Sequence, residues 1–220
     1  RERTVTSYPG FGDQVPSAAY VENRVVIDGP VILGDDCQVG PSVMITGNTS
    51  IGRGNRFFHG ASIGNEPQDL KFQGEETFLE IGEDNVFREF CTVHLAAGEG
   101  EMTRVGNGNL LMAYVHIAHN CIIANKVIIA NAVNIAGHVE VESFATIGGM
   151  TPVHQFVRIG AYSMVGGGSR LPQDVPPFVR VAGNPVEVCG INSIGLKRRG
   201  FDDAELLNIK KAYRLLYRRG

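Results

Sequence analysis

The chain has 220 residues, 43% of them apolar, and a formal charge of −3 that arises from 20 basic and 23 acidic residues. The apolar content excludes a disordered protein, and the near balance of charge gives no sign of a nucleic-acid partner. No segment reaches the ~18 consecutive apolar residues of a transmembrane helix, and the N-terminus lacks the apolar stretch of a signal peptide. We therefore expect a cytoplasmic protein that has no transmembrane segment and binds no nucleic acid.

Residues 1–16 show no periodicity and are predicted to form a poorly ordered leader, after which a six-residue repeat begins. From Val21 to Leu171 every sixth residue is apolar, with three exceptions at Asp69, Glu75 and Glu99. Glycine often follows the apolar residue, and a small or β-branched residue precedes it by two positions. This pattern predicts a short strand followed by a tight turn.

Hexads of this kind are typical of a parallel β-helix, an all-β solenoid in which three hexads form one triangular coil of about 18 residues. Successive coils are expected to stack at the strand spacing of about 4.8 Å. Three of the four cysteines, Cys37, Cys91 and Cys121, stand at the small inward position of the hexad, so we interpret them as packing residues. The predicted β-helix spans residues 17–190.

Two polar segments interrupt the repeat, at residues 65–78 and 95–104. The first stands in place of two hexads and the second in place of one, so both should leave the solenoid and return in register. Loops carried on a rigid scaffold in this way are common places for binding residues, and surface decoration is the alternative.

The repeat ends in a proline-rich stretch, and residues 191–220 are predicted to form a C-terminal helical segment. A helix should begin at Asp202, with Glu205 completing a capping box. Whether this segment is truncated at Gly220 is left open. The apolar face, which needs the solenoid or a neighbouring subunit as its partner, comprises Ile209, Ala212, Tyr213 and Leu216. A basic surface, either solvated or suited to an acidic partner, comprises Lys197, Arg198, Arg199, Lys210, Lys211, Arg214, Arg218 and Arg219.

Histidines are concentrated at one position of the predicted coil. Counting about 18 residues per coil, and six more for the second excursion, places His94, His119, His138 and His154 near one corner on successive coils. None occupies the inward position, so we expect a ladder that faces outward or into an interface. Imidazole changes charge near neutral pH and can act as a general base for a hydroxyl group. A zinc site that includes His116 together with His94 and His119 is the competing interpretation.

Five segments carry information beyond the repeat: QDLKF at 68–72, NLLMAYVHIAHNC at 109–121, GGMTPVHQF at 148–156, QDVPP at 173–177 and GLKRRGF at 195–201. With them, residues 16–220 resemble the acyl-carrier-protein-dependent UDP-N-acetylglucosamine 3-O-acyltransferases of lipid A biosynthesis. The resemblance implies a homotrimer of left-handed β-helices with active sites between subunits. It implies transfer of a 3-hydroxyacyl chain from acyl carrier protein to UDP-N-acetylglucosamine. Neither a metal nor a resident cofactor is implied, because the phosphopantetheine arrives on the carrier protein.

The resemblance also implies roles for individual residues. His119 is similar to the general base that takes the proton of the sugar 3-hydroxyl, and Gly137 to the backbone N–H donor for the oxyanion. Gly167 resembles the residue that caps the acyl groove, where glycine leaves room for a longer chain. The basic C-terminal surface would dock the acidic carrier protein. The implied substrate-binding residues are Gln68, Asp69, Lys71, His94, His116, His138, His154, Gln155, Asn192, Arg198 and Arg199.

The chain departs from the family pattern at Asn120, where an aspartate usually follows the base, at Ile194 in place of a glutamate, and at Leu95-Ala96 in place of Arg-Gly. An amide orients imidazole but does not stabilise imidazolium as a carboxylate does. A 3-amino analogue of the sugar is therefore kept as a second acceptor. The alternatives are a related N-acyltransferase or a sugar acetyltransferase of the same fold, and, from another class, a trimeric zinc hydratase or a non-catalytic scaffold.

Overall fold

The computed structural model describes residues 5–7 and 19–217, and in these ranges the chain forms 25 short strands and two helices. In chain order the strands are β1 (Val5–Ser7), β2 (Tyr20–Val21), β3 (Val25–Asp28), β4 (Ile32–Leu33), β5 (Gln38–Val39), β6 (Met44–Thr46), β7 (Thr49–Ile51), β8 (Arg56–Phe57), β9 (Ser62–Asn65), β10 (Phe78–Ile81), β11 (Val86–Phe87), β12 (Thr92–His94), β13 (Met102–Val105), β14 (Leu110–Leu111), β15 (His116–Ile117), β16 (Ile122–Ile123), β17 (Ile128–Ile129), β18 (Asn134–Ile135), β19 (Glu140–Val141), β20 (Thr146–Ile147), β21 (Pro152–Val153), β22 (Arg158–Ile159), β23 (Met164–Val165), β24 (Val179–Ala182) and β25 (Glu187–Ile191). The helices are α1 (Ser193–Arg198) and α2 (Asp203–Tyr217).

The strands stack into three sheets, as the predicted β-helix requires. Sheet A has the order β1-β3-β6-β9-β12-β15-β18-β21, sheet B the order β2-β5-β8-β11-β14-β17-β20-β23-β24-β25, and sheet C the order β4-β7-β10-β13-β16-β19-β22. Neighbouring strands are parallel except for β24 and β25. Residues 18 apart are partners across a sheet, as Ile117, Ile135 and Val153 are in sheet A. The predicted solenoid of 18-residue coils is confirmed.

The residue at every sixth position fills the interior. Ile117, Ile123 and Ile129, one from each sheet of a single coil, are at most 1% exposed. The three repeat cysteines are fully buried among these side chains, which confirms that they are packing residues. Among the apolar residues of this series, only Ile27 is partly exposed. A continuous apolar core therefore runs along the solenoid axis.

The turns between sheets form three edges. The A–C edge, where the chain passes from sheet A to sheet C, carries Asn120, His138 and Phe156 at equivalent places of successive coils. These residues have φ angles of 57°, 61° and 66°, and Asn and His adopt such left-handed conformations more readily than most residues. The C–B edge carries Phe144 and the B–A edge Met150 at the corresponding places.

Both predicted excursions leave the solenoid at the A–C edge. The first joins β9 to β10 and the second joins β12 to β13. Strand β13 begins at Met102, so the second excursion covers residues 95–101 and is shorter than predicted. The chain returns in register, because Ile63, Val93 and Ile117 are successive partners in sheet A. The two excursions also contact each other, since the Gly100 N–H donates to the Glu76 carbonyl at 2.9 Å.

The C-terminal part closes the solenoid. The predicted capping box is confirmed, because the Asp202 N–H donates to Glu205 and the Glu205 N–H donates to Asp202, each at 2.8 Å. In α2, Tyr213 packs on the core, whereas Leu216 is 74% exposed. Helix α1 lies within the predicted helical segment 191–220, ahead of the helix start expected at Asp202, and uses Asn192 as its N-cap. Neither described helix has the length and apolar content needed to cross a bilayer.

Three residues of the predicted leader, Val5–Ser7, form β1 and pair in parallel with β3. The rest of residues 1–16 lies outside the described residues, as do Arg218 and Arg219 of the basic surface. The prediction of a poorly ordered leader therefore stays a prediction for those positions.

Buried asparagines hold the C–B edge in the first half of the solenoid. Asn85 is fully buried and donates from Nδ2 to Asn55 Oδ1 at 2.9 Å and to the Gly106 carbonyl at 2.8 Å. Its Oδ1 accepts from the N–H of Asn109 at 2.9 Å, so the amide links three coils. Exposed Asn107 makes similar bonds in contact with water.

We predict that Asn85→Ala lowers the free energy of unfolding by about 2–4 kcal/mol, because buried backbone groups lose their partners. The matched variant Asn107→Ala should cost less than about 1 kcal/mol, because water replaces the lost bonds. Urea unfolding at fixed protein concentration measures both, and equal losses would contradict a structural role for the buried ladder.

Candidate active site

The A–C edge gathers the histidines and both excursions at one place. The rings of His119 and His138 meet edge to face, with centroids 5.2 Å apart. The ring of His138 stacks on Phe156 from the next coil at 4.7 Å. An open groove beside these rings is lined in part by Glu101, Asn120 and His138. Two histidines of the predicted ladder, His119 and His138, are therefore in ring contact along this edge, and Phe156 extends the row.

His119 lies directly against the backbone of Gly137. A Cβ atom placed on Gly137 would stand only 2.6 Å from His119 Nε2 and 2.5 Å from Cε1, so any side chain there would displace the ring. Among the described residues, no hydrogen bond engages the N–H of Gly137. The same holds for Nε2 of His119, whose ring is bonded through Nδ1. A basic nitrogen and an unused N–H donor thus occur on adjacent coils.

The second excursion contacts the residue that follows His119. Nδ1 of His119 lies 2.8 Å from Asn120 Oδ1. The same oxygen accepts from the N–H of Ala97 at 3.0 Å, and Asn120 Nδ2 donates to the Ala97 carbonyl at 3.1 Å. The N–H of Asn120 donates to Thr103 Oγ1 at 2.8 Å. The sequence did not identify Ala97 or Thr103 as part of the site, since neither side-chain type suggests chemistry.

His94 corrects the expectation that every histidine of the ladder faces outward. It is only 5% exposed, and its Nδ1 has no hydrogen-bond partner within the described part of the chain. Strand β12 extends to His94, which pairs with Asn65 across a bulge, and the excursion that follows begins with buried Leu95 and Ala96. The ring packs edge to face on His116 at 4.9 Å. His116 in turn is bonded through Nδ1 to Thr92 Oγ1 at 2.7 Å.

Burial keeps most of this cluster uncharged. Burial, with smaller contributions from His116 and His119, lowers the pKa of His94 to about 4. The pKa of His116 is also lowered, mainly by burial and then by His119. For His138, burial and His119 lower the pKa, while Glu101 and Asp69 oppose the shift. The effect of these two carboxylates indicates that both excursions lie within electrostatic range of the histidines.

The first excursion carries three predicted substrate-binding residues. Gln68 and Lys71 are exposed, and half-buried Asp69 accepts from the N–H of Lys71 at 2.9 Å in a tight turn. One coil beyond Gly137, His154 and Gln155 are exposed on the A–C edge, and Nδ1 of His154 lies 3.0 Å from the Gln155 carbonyl. Of these five residues, Asp69 is near enough to His138 to oppose the lowering of its pKa.

Asn192, Arg198 and Arg199 lie on a different edge of the same chain. Asn192 caps α1 and donates from Nδ2 to the Tyr162 carbonyl at 2.9 Å on the C–B edge. The guanidinium of Arg199 lies over the ring of Phe144, 4.9 Å from its centroid, and Arg198 is exposed. A single chain therefore does not bring these three residues to His119.

Gly167, the predicted residue of the acyl groove, lies on the remaining B–A edge. It is exposed, and a Cβ atom there would meet the Gly149 carbonyl oxygen at 3.2 Å. Among the described residues, no group of three His, Cys, Asp or Glu side chains is arranged to hold a metal ion. The zinc interpretation of His94, His116 and His119 thus has no ligand set within one chain.

Comparison with known proteins identifies the family. A family model described as the second domain of UDP N-acetylglucosamine O-acyltransferase matches residues 174–220. An acyl-[acyl-carrier-protein]–UDP-N-acetylglucosamine O-acyltransferase from Verminephrobacter eiseniae is 50% identical over 178 residues, which cover 80% of this chain and 68% of that protein. The chain belongs to this acyltransferase family.

Solved structures of the family agree. The UDP-N-acetylglucosamine O-acyltransferase of Moraxella catarrhalis superposes with a TM-score of 0.89 at 40% identity, covering 93% of this chain and 80% of that one. The acyltransferase of Campylobacter jejuni gives 0.83 at 34% identity, covering 98% and 86%. The solenoid is accordingly the left-handed parallel β-helix of the family, as the sequence resemblance implied.

The match is incomplete in length for some relatives. The homologue from Gloeothece citriformis is 54% identical over 176 residues, which are 80% of this chain but 64% of that protein. The chain thus spans somewhat less than two thirds of this relative's length.

We predict that His94 makes the protein less stable in mild acid. The pKa of His94 in the folded chain, about 4, lies below its ordinary value of 6.5, so as the pH falls from about 6.5 to 4 the unfolded chain binds a proton that the folded chain does not. This one group should remove about 2 kcal/mol of stability between pH 7 and pH 5. Chemical unfolding at both pH values should show a smaller loss for His94→Gln than for the natural chain. An equal loss would contradict the prediction.

Proposed function

We propose that this chain transfers a 3-hydroxyacyl group from acyl carrier protein to the 3-hydroxyl of UDP-N-acetylglucosamine, the first step of lipid A assembly. The observation that carries the proposal is the placement of His119 against Gly137, where neither Nε2 nor the Gly137 N–H is hydrogen-bonded to any residue that the structure describes. Homologues in the same family bear the name of this reaction.

The proposed chemistry needs one proton acceptor and one oxyanion donor. Nε2 of His119 accepts the proton of the sugar 3-hydroxyl while the oxygen attacks the thioester carbonyl carbon. The N–H of Gly137 donates to the oxyanion of the tetrahedral intermediate. Collapse breaks the carbon–sulfur bond, and the leaving thiolate takes the proton from His119. General-base catalysis contributes about 10²–10⁴-fold and one oxyanion donor about 10²–10³-fold.

Neutral histidines suit this role. With the pKa values of His94, His116 and His138 lowered, His119 has uncharged neighbours near neutral pH. Uncharged imidazoles can donate and accept hydrogen bonds to the sugar without repelling a protonated base. We therefore propose that these three residues, with His154 and Gln155, bind and orient the substrates.

A homotrimer is proposed because the site residues occupy two edges. His119 lies on the A–C edge, whereas Asn192, Arg198 and Arg199 lie on the C–B edge. A second copy that places its C–B edge against the first would bring two arginines to the nucleotide phosphates, which guanidinium groups bind well. Gln68, Asp69 and Lys71 of the first excursion would contact the same nucleotide sugar.

The donor is proposed to dock on the basic C-terminal surface. Within the described range Lys197 is paired with Asp203 at 3.0 Å, and Lys210, Lys211 and Arg214 are exposed. A small acidic carrier protein would be attracted by this charge. The pantetheine thioester is then part of a substrate, and the proposed mechanism uses no resident cofactor. A cytoplasmic location remains part of the proposal, because acyl carrier protein and UDP-N-acetylglucosamine are both water-soluble.

A 3-amino acceptor is the second candidate, and Asn120 is the observation that favours it. An amide beside His119 stabilises imidazolium less than a carboxylate would, which matters less for an amine nucleophile that attacks while neutral.

Gly167 is proposed to leave space for a longer acyl chain, because it is an exposed glycine. The same assay, run with donors of different chain length, examines this proposal.

We predict that His119→Ala lowers kcat by about 10²–10⁴-fold. The assay follows acyl transfer from a series of 3-hydroxyacyl carrier proteins to UDP-N-acetylglucosamine and to its 3-amino analogue. His59→Ala is the control, because exposed His59 is bonded to the Pro41 carbonyl on the B–A edge and should leave activity intact. Full activity of His119→Ala with both acceptors would reject the proposed base.

Mixed assemblies test the shared site. His119→Ala chains and Arg198→Ala/Arg199→Ala chains should each be poorly active alone. When they are refolded or expressed together, random trimers should recover about a quarter of the natural activity, because that share of interfaces has both parts intact. Failure to exceed the activity of the parent variants, in trimers verified to be mixed, would place the whole site within one chain.

A further inference from the structure

The second excursion fixes the orientation of the Asn120 side chain. A backbone N–H can only donate and a backbone carbonyl can only accept, and both groups of Ala97 face the same carboxamide. The oxygen of Asn120 must therefore lie toward the Ala97 N–H, at 3.0 Å, and its nitrogen toward the Ala97 carbonyl, at 3.1 Å. A flipped amide would lose both bonds, because its oxygen would face the Ala97 carbonyl and its NH₂ group would face the Ala97 N–H. The contact with Ala97 thus sets the orientation of the Asn120 amide independently of His119.

This orientation decides the tautomer of the neighbouring histidine. The atom 2.8 Å from His119 Nδ1 is the Asn120 oxygen, which only accepts, so Nδ1 must carry the proton. In the neutral ring the lone pair is then on Nε2, the nitrogen that lies against Gly137. That is the form a base needs to take a proton from a nucleophile held in this place.

A carboxylate could not replace the amide without a change in the excursion. Aspartate would still accept from His119 and from the Ala97 N–H, but its second oxygen would face the Ala97 carbonyl and repel it. The turn itself suits asparagine, because Asn120 has φ 57° and its N–H is held by buried Thr103. An aspartate at this place would therefore not be equivalent to Asn120 in this chain.

We propose that Asn120 is a positioning residue through which the backbone of the second excursion holds His119 in its Nδ1–H tautomer. The orienting device is a neutral amide locked by main-chain atoms of Ala97, without a carboxylate. The tautomer is a property of the resting protein, and only its benefit to catalysis rests on the proposed function.

The test is nitrogen-15 NMR of the histidine rings in the full chain without substrates. We expect His119 in the natural protein, with the ring neutral, to be almost entirely the Nδ1–H form. Asn120→Ala should produce a mixture of tautomers. Ala97→Pro lacks the N–H that holds the amide oxygen, so it should shift the tautomer in the same direction but less, because the carbonyl of residue 97 still accepts from the amide nitrogen. Ala97→Ser keeps the N–H and should retain the natural tautomer.

Kinetics provide the second readout. Asn120→Ala should lower kcat at least about 10-fold and change KM for the nucleotide sugar little, because orientation of the base and not binding is lost. An Nε2–H form in the natural protein, or an unchanged tautomer in both Asn120→Ala and Ala97→Pro, would overturn the inference. A tautomer shift in Asn120→Ala with unchanged kcat would overturn the role of Asn120 as a positioning residue for catalysis. Full activity of His119→Ala, by contrast, would reject the proposed function and leave the tautomer result standing.

Discussion

Hydrogen bonding between stacked coils is the constraint on which the rest of the structure depends. Each strand of two to five residues is too short to be stable alone, but parallel pairing with the coil above and below satisfies its backbone. The inward residue of each hexad then joins a continuous core. Because equivalent positions recur every 18 residues, side chains far apart in sequence come to lie on one edge. His119 meets Gly137 for this reason alone.

The site occurs where the repeat is interrupted. Both excursions leave from the A–C edge, and each restores the register of sheet A when it returns. They add what a bare solenoid edge lacks, namely cover for His94, acidic side chains near His138 and a main-chain contact to Asn120. The rigid stack supplies precise spacing, while the excursions supply chemical variety. Such division of roles is common in repeat proteins.

The other two edges are used differently. On the C–B edge, buried asparagines give way to stacked aromatic rings, among them Phe144 and Tyr162, and these rings support α1 and the arginines near its end. The geometry therefore separates the proposed proton acceptor from the proposed phosphate-binding groups. Residues on two different edges of a triangular solenoid can reach the same substrate only when a second copy places one edge against the other. This is why assembly enters the proposed function as a structural requirement.

Periodicity by itself determined the coil, the inward residues, the two excursions with their net lengths and the histidine edge, and a local motif determined the capping box of α2. These features depend on local sequence and on counting, since an 18-residue repeat fixes which residues are neighbours. Only the tertiary structure decided the burial of His94, the division of the predicted C-terminal helical segment into α1 and α2, and the placement of Arg198 and Arg199 on another edge. It also decided the pairing of Ala97 with Asn120. Those depend on the paths of loops and on backbone atoms, which every residue type shares and which therefore leave no pattern in the sequence.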